Sequence, residues 1–221
     1  MPPRPTPRRL IVPAILVAAI MAGGAGDGPA RTARLPDAEL FATNNTAVIT
    51  DPDDPRLNGR LRSFERVVRR IISTGGGKLR RSRLLEGVFF SSELQTTTFE
   101  RSRDFDVDGV TPRELHDVAE RVRRRFCQQA VLTFDYPERP SDPRDGLEIE
   151  LPGVDAQRLR DGLAANREAR ERLVGGSLTL DGRLVLIADR SDLKLAKRFV
   201  TDIGGDLRAA TIRSGHREFV G

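Results

Sequence analysis

The stretch from Leu94 to Tyr136 constrains the fold more than any other part of the chain, because it holds three consecutive elements with clear signals. Within Gln95–Val107, polar residues fill every second position, while Phe99, Phe105 and Val107 share the other parity. This alternation has a period of two residues, which predicts a half-buried antiparallel strand.

A helix and a second strand are predicted to follow this strand. Asp108-Gly109 supplies a turn, Thr111 can cap the helix, Pro112 suits its first position, and Glu114 completes a capping box. The apolar positions at helical spacing are Leu115, Val118, Ala119, Val122 and Phe126. A short apolar strand then covers residues 130–134.

The preceding residues complete a first unit, predicted to span residues 45–136. After an irregular lead-in at residues 31–44, we expect a strand at Thr46–Thr50 and a helix whose apolar stripe runs from Leu57 to Ile71. A strand at Leu84–Ser91 follows, with Gly87 as a bulge. The order β-α-β-β-α-β is that of a ferredoxin-like sandwich.

The same order returns after residues 137–146, which are rich in Pro and charged residues and are predicted to be a linker. A second unit is predicted over residues 147–221, with a hairpin at Asp181-Gly182 and a helix that begins near Ser191. The predicted fold class is therefore α+β, with two tandem ferredoxin-like sandwiches, each having its own small core.

Residues 1–30 have the layout of a secretory signal peptide. Arg4, Arg8 and Arg9 precede an apolar run at Leu10–Ala22, and small residues follow. The run is shorter than the roughly 20 residues of a membrane-spanning helix. We expect an exported, secreted or envelope-associated protein, cleaved between residues 22 and 30, and the Arg pair leaves the twin-arginine route open. The scarcity of Lys among the basic residues suggests a GC-rich bacterial source.

The remaining chemistry-bearing residues are few. Cys127 is the only cysteine, so no intramolecular disulfide forms, and we expect a buried, inert thiol. His116 and His216 are the only histidines and are predicted to be exposed and apart, which disfavours zinc. The carboxylates of Glu148 and Glu150 share one strand face that we expect to point outward. No nucleophile elbow or phosphate-binding loop is present.

A basic helix face is the clearest candidate binding surface. Residues 56–83 contain ten basic residues and one acid, Glu65. Five arginines lie off the apolar stripe, so a solvated surface or a contact with an anionic partner is expected. They are Arg60 and the four predicted to bind an anionic partner, Arg62, Arg66, Arg69 and Arg70. The basic face itself lacks aromatic residues for base stacking, so nucleic acid is not predicted as a partner.

The pattern Asp104-x-Asp106-x-Asp108-Gly109 matches the opening of a calcium loop. Its twelfth position is Leu115, where a bidentate Glu belongs. The strand, turn and capping box account for the same residues without a metal. Calcium at the three aspartates is therefore an alternative interpretation, and no cofactor is otherwise expected.

The segment Arg125-Phe126-Cys127-Gln128-Gln129-Ala130-Val131-Leu132 resembles the closing signature of an uncharacterised family of exported bacterial proteins. In the same family a Glu and a Ser enter the third strand, and Glu100 and Ser102 hold those places here. The resemblance covers residues 45–136. It implies export and the fold of the first half, and it implies no activity.

The lack of a metal set, nucleophile or cofactor loop favours a non-enzymatic binding module of the cell envelope or extracellular space. Two alternatives are a secreted hydrolase with a site between the halves, built on a histidine with carboxylates, and a protease inhibitor or folding aid. The inhibitor alternative depends on fold-level analogy alone. The sequence does not predict the oligomeric state.

Overall fold

The computed structural model describes residues 36–44, 46–136, 145–173 and 175–221. The predicted leader at residues 1–30 and nearly all of the predicted linker lie outside these ranges. Residues 35–221 belong to one compact unit.

Within the described residues, eight strands and five helices build this unit. The strands are β1 Ala38–Ala42, β2 Lys78–Ser91, β3 Thr96–Asp108, β4 Val131–Asp135, β5 Asp145–Pro152, β6 Gly175–Thr179, β7 Arg183–Asp189 and β8 Thr211–Val220. The helices are α1 Arg62–Thr74, α2 Pro112–Phe126, α3 Ala156–Ala165, α4 Arg167–Arg172 and α5 Leu193–Asp202. Short 3₁₀ turns lie at Pro55–Asn58, Arg190–Asp192 and Leu207–Ala209.

The eight strands form one closed antiparallel barrel. Their order is β1-β3-β2-β6-β7-β5-β8-β4, and β4 pairs with β1 to close it. The first half contributes β4-β1-β3-β2 and the second contributes β8-β5-β7-β6. Two pairings join the halves: β2 with β6, and β4 with β8.

The prediction of two tandem sandwiches is wrong, because the sheet is continuous between the halves. The β-α-β-β-α-β order does occur in each half. However, a separate sandwich would leave the outer edges of β2, β4, β6 and β8 unpaired, and exposed strand edges are a liability for a soluble chain. In the barrel these edges pair with each other, so the sheet has no free edge and encloses an interior.

Local assignments also differ at the start of the chain. β1 lies at Ala38–Ala42, within the predicted lead-in, and Thr46–Thr50 contributes only one bridge, between Ile49 and Phe99. The missed signal is the alternation of Ala38, Leu40 and Ala42, whose small side chains make a weak apolar pattern. Gly87 is not a bulge, since the β2–β3 register runs through it and shifts instead between Leu79 and Arg81.

The capped helix is confirmed. Thr111 precedes α2 with extended backbone, its hydroxyl accepts from the Glu114 amide, and Glu114 accepts from the Thr111 amide at 2.8 Å. The Leu115, Val118, Ala119 and Val122 side chains of the stripe are buried.

Two hydrophobic cores lie outside the barrel, between its outer face and the helices. One packs α1 and α2 on β1, β3 and β4, around Leu40, Phe64 and Phe105. The other packs α3, α4 and α5 on β5, β6 and β7, around Leu186 and Phe199. The alternate strand positions face inward, so the mainly polar parity of β3 lines the barrel interior rather than facing solvent. No helix in the described part of the chain is long and apolar enough to span a membrane.

Candidate ligand-binding site

A cavity of about 620 Å³ lies at one end of the barrel interior. Residues of seven strands, all except β5, line it, and residues 46–49 and 127–130 complete its wall. Its apolar lining from the strands includes Phe41, Phe89, Leu132, Val185 and Ile187. Ligand sites commonly have volumes of about 300–1,000 Å³ and are mostly apolar with a few convergent polar groups.

Strand β3 supplies the polar side of the cavity. Thr98, Glu100 and Ser102 follow one another on its inward face, and Ser177 of β6 adds a further hydroxyl. Burial raises the pKa of Glu100 well above its ordinary value, to about 7, and a hydrogen bond from Ser102 offsets part of this rise. The cavity therefore holds a carboxyl group that changes its protonation near neutral pH.

Two glycines make room for one aromatic wall. A Cβ atom on Gly87 would lie 2.5 Å from the Phe89 ring, and a Cβ on Gly175 would also lie 2.5 Å from it. The Phe89 ring therefore occupies the space that a side chain at position 87 or 175 would need. Gly87 is also the register partner of Glu100, so no side chain covers that carboxylate from the opposite strand position.

The other end of the barrel interior is filled by charged side chains. Three aromatic rings pack beside them: Phe41 lies edge-on to Phe134 at 6.3 Å, and Phe134 stacks on Tyr136 at 5.7 Å. The charged groups are five carboxylates and four guanidinium groups. They are Glu39, Asp104, Asp106, Glu148 and Glu150, with Arg81, Arg83, Arg183 and Arg213.

Arg83 and Arg213 connect this network. The Arg83 Nε donates to Asp104 Oδ2 at 2.7 Å, and its Nη1 donates to Glu150 Oε2 at 2.8 Å. Arg213 donates to Glu39 and lies over the Tyr136 ring, 3.5 Å from its centroid. Glu39 and Asp104 are fully buried, so water does not solvate their carboxylates and the guanidinium groups balance their charge instead.

The contacts of the Tyr136 hydroxyl indicate that the network retains a proton. That oxygen lies 3.0 Å from Glu39 Oε2 and 3.0 Å from Glu148 Oε2. A phenol donates only one hydrogen, and a protonated carboxyl group would give the second close contact a hydrogen of its own. Burial, followed by repulsion from Glu39, raises the pKa of both Asp104 and Glu148 well above the ordinary range. The five carboxylates outnumber the four guanidinium groups by one, and one retained proton balances this difference in charge.

The same network contains the carboxylates best placed to hold a cation. One ligand oxygen from each of Glu39, Asp104 and Asp106 lies within 4.8 Å of the others, and Oδ1 of both aspartates accepts no hydrogen bond. This spacing fits an ion with carboxylate distances of about 2.3–2.6 Å. However, each of the three already has a guanidinium partner, so a further cation would be repelled, and the arrangement favours the retained proton.

The structure brings together two of the three aspartates predicted for calcium. Asp104 and Asp106 join Glu39, whereas Asp108 accepts from the Asp37 amide and pairs with Arg80 at 3.3 Å. All three lie on continuous strand β3 rather than in a loop. Calcium binding by these residues stays a prediction.

Other sequence-predicted residues lie away from the cavity, with one exception. The four arginines of the basic face, Arg62, Arg66, Arg69 and Arg70, are exposed on α1. Both histidines are exposed as expected, and His116 Nδ1 lies 3.0 Å from Glu218. Cys127 is exposed and lines the cavity, so its predicted burial is wrong; it ends α2 in a left-handed conformation that turns it outward.

Glu148 and Glu150 point into the barrel, so their predicted outward orientation is also wrong. Glu148 is paired with Ile187 and Glu150 with Val185 across β5 and β7. Sequence alternation identifies which residues share a face, but it does not tell which face is inside when both are enclosed.

Residues that carry the family resemblance converge on the cavity. Glu100 and Ser102 come from β3, whereas Gln128, Ala130 and Leu132 come from the segment after α2, and all five line the same space. The Gln128 side chain also accepts from the Thr43 amide at 3.1 Å, which holds the end of β1 to this segment. The resemblance itself stays a prediction.

Replacing Glu100 with glutamine is expected to stabilise the protein at about pH 8 and to have a smaller effect at about pH 5. The folded-state pKa near 7 lies above the unfolded value of about 4.3. The folded state therefore binds the proton more tightly, and the contribution of Glu100 to stability falls as pH rises through this window.

Thermal unfolding of the wild type and Glu100→Gln across this pH range measures the effect. Glu93→Gln is the matched control, because Glu93 is exposed in the β2–β3 turn. A difference in Tm between wild type and Glu100→Gln that does not change with pH would contradict the raised pKa.

Comparisons with known proteins assign no family. No family model matches the chain, and no curated protein matches it. Among solved structures, one match is a crystal structure described as a "putative monooxygenase from Lactobacillus acidophilus NCFM". It is 10% identical, covers 84% of this chain and 96% of that chain, and has a TM-score of 0.27. A score this low supports no argument about function.

Proposed function

We propose that this protein is an exported, non-enzymatic binding protein that holds a small, predominantly apolar molecule in the cavity of its barrel. The observation that carries the proposal is the division of the barrel interior. One end is filled by an ion-pair network, whereas the other leaves about 620 Å³ bordered by phenylalanine and aliphatic side chains. Export is supported by the sequence pattern of residues 1–30.

The apolar surface supplies the binding free energy in this proposal. Burial of apolar area is worth roughly 25 cal/mol per Å². Val48 is 65% exposed and Phe219 is 48% exposed, and both also line the cavity. Large exposed apolar side chains beside a cavity suit a mouth through which an apolar ligand enters.

A fluorescence titration with N-phenyl-1-naphthylamine tests the proposal, because this uncharged dye brightens in apolar surroundings. We expect saturable binding with one site per chain. Leu132→Trp places an indole in the cavity wall and is expected to abolish this binding. Leu94→Trp is the matched control, since Leu94 is 50% exposed in the β2–β3 turn.

Folding of both variants is checked by circular dichroism and Tm. Val185→Phe is a second cavity-filling variant in case Leu132→Trp does not fold. Absence of saturable dye binding to the wild type, or equal binding by the wild type and a folded cavity-filling variant, would overturn the proposal.

A second candidate function is docking of α1 on an anionic envelope component. Among the described residues, Arg62, Arg66 and Arg70 form no ion pair, whereas Arg69 pairs with Glu65 at 3.2 Å. Three unpaired guanidinium groups on one exposed helix face attract anions, and the attraction falls with added salt.

Sedimentation with vesicles that contain anionic lipid tests this candidate. The triple variant Arg62→Gln, Arg66→Gln and Arg70→Gln is expected to lose binding. A control variant with glutamine at Arg113, Arg121 and Arg125 of α2 removes the same charge and is expected to keep vesicle binding. Equal loss in both variants would indicate a response to net charge rather than a site.

The predicted hydrolase alternative loses its proposed residues. Neither histidine lines the cavity, and the two halves share one barrel rather than facing each other across a cleft. The inhibitor alternative gains no specific surface from the structure.

A further inference from the structure

We propose that the molecule bound in the cavity carries a basic amine, which pairs with the Glu100 carboxylate while its apolar body contacts the surrounding phenyl rings. This inference depends on the proposed function and specifies the chemical class of its ligand. It follows from the charges, the rings and the hydrogen-bonding groups of the cavity wall.

The first argument is the isolation of Glu100. Among the described residues that line the cavity, Glu100 is the only acidic or basic side chain. The carboxylates of the ion-pair network do not line the cavity and have guanidinium partners. A partly buried carboxylate without a counter-ion among the described residues is costly, and a ligand ammonium group would supply the missing charge.

The second argument is the aromatic lining. Phe41, Phe89, Phe99 and Phe219 all border the cavity. The face of a phenyl ring attracts a cation, and this attraction increases when the cation is removed from water. The cavity contains no arginine, lysine or histidine among its described lining residues, so nothing there would attract a carboxylate or phosphate ligand.

The third argument is the position of the hydrogen-bonding groups. Thr98 and Ser102 lie on either side of Glu100 on the inward face of β3, and Ser177 of β6 lies in the same wall. An ammonium group has three donors, and the carboxylate with neighbouring hydroxyl oxygens offers acceptors for them. A hydroxyl-bearing ligand would use fewer acceptors and would leave the carboxylate uncompensated.

Three ligands with the same ten-carbon chain test the inference: decylamine, decan-1-ol and decanoate. Each competes with bound N-phenyl-1-naphthylamine at about pH 8, below its micelle concentration. We expect decylamine to bind the wild type at least about tenfold more tightly than decan-1-ol, because a hydrogen bond to a charged group is worth more than a neutral one. Decanoate is expected to bind most weakly.

Glu100→Gln is expected to reduce the affinity for decylamine about tenfold or more and to change that for decan-1-ol by less than about twofold. Glu93→Gln is expected to change neither. At about pH 5.5 the preference of the wild type for the amine is expected to shrink, since the Glu100 carboxylate is then largely protonated in the empty cavity.

Equal competition by decylamine and decan-1-ol at pH 8 would overturn the amine inference. An affinity ratio of decylamine to decan-1-ol that is unchanged in Glu100→Gln would overturn it too. In both cases saturable dye binding would leave the proposed function intact. If the dye does not bind the wild type saturably, the proposed function fails together with this inference. The two failures are therefore distinguishable.

Discussion

Replacing Arg83 with methionine is expected to lower the free energy of unfolding by about 3–5 kcal/mol, because it removes one partner of a buried ion pair. The Arg83 side chain is 12% exposed and contacts both Asp104 and Glu150. Methionine occupies part of the same volume without a charge. It would leave the fully buried Asp104 carboxylate without its guanidinium partner.

Arg81→Met is the matched control for this change. Arg81 lies in the same strand, pairs with Asp106 at 2.9 Å, and is 55% exposed. Asp106 is buried, but the Arg81 guanidinium group is largely solvated and pairs with this one carboxylate, so the variant is expected to lose less stability than Arg83→Met, which removes a nearly buried guanidinium group from two carboxylates. Urea denaturation of both variants measures the difference.

The cost of Arg83→Met is also expected to fall at low pH and in a double variant. The pKa of Asp104 is already raised by burial and by Glu39, and loss of Arg83 raises it further. A protonated Asp104 needs no counter-ion, so the deficit at about pH 5 is smaller than at about pH 8. Adding Asp104→Asn should recover part of the loss. A deficit equal to that of Arg81→Met would contradict the network.

Separating the two halves is expected to abolish the native monomeric fold. Residues 31–136 alone would expose the edges of β2 and β4, and residues 145–221 alone would expose those of β6 and β8. Each half would also expose its share of the apolar and charged barrel interior. We expect the isolated halves to aggregate or self-associate and to regain the native circular dichroism spectrum when mixed.

Light scattering after size-exclusion chromatography measures this outcome. A control chain with a protease site inserted within residues 137–144 receives the same break after folding, and its halves are expected to stay together. An isolated half that is a stable monomer with cooperative unfolding would contradict the shared barrel and favour two independent sandwiches.

Several elements could be predicted from sequence because their signals are local. The Thr111–Glu114 capping box, the apolar stripe of α2 and the alternation in β3 each depend on residues a few positions apart, and the structure contains all three. β1 was missed because its short alternation includes two alanines, and alanine contributes little to an apolar pattern. The order of elements in both halves was visible for the same local reason.

The cavity could not be predicted, because its lining comes from strands that are distant in sequence. Glu100, Leu132 and Ser177 are each ordinary strand residues, and only the pairing of β2 with β6 and of β4 with β8 encloses them. One signal was present: the inward parity of β3 carries acids and hydroxyls throughout, which suits an enclosed polar interior as well as a solvated face. Alternation alone does not separate these cases.

The sequence by itself determined the type and order of the helices and strands, because caps, glycine breaks and apolar spacing act over a few residues. Only the tertiary structure decided that the two halves share one barrel, since strand edges pair with whichever complementary edge lies beside them. That choice turned the polar face of β3 and the carboxylates of Glu148 and Glu150 inward. It thereby created both the buried ion-pair network and the cavity with its lone carboxylate.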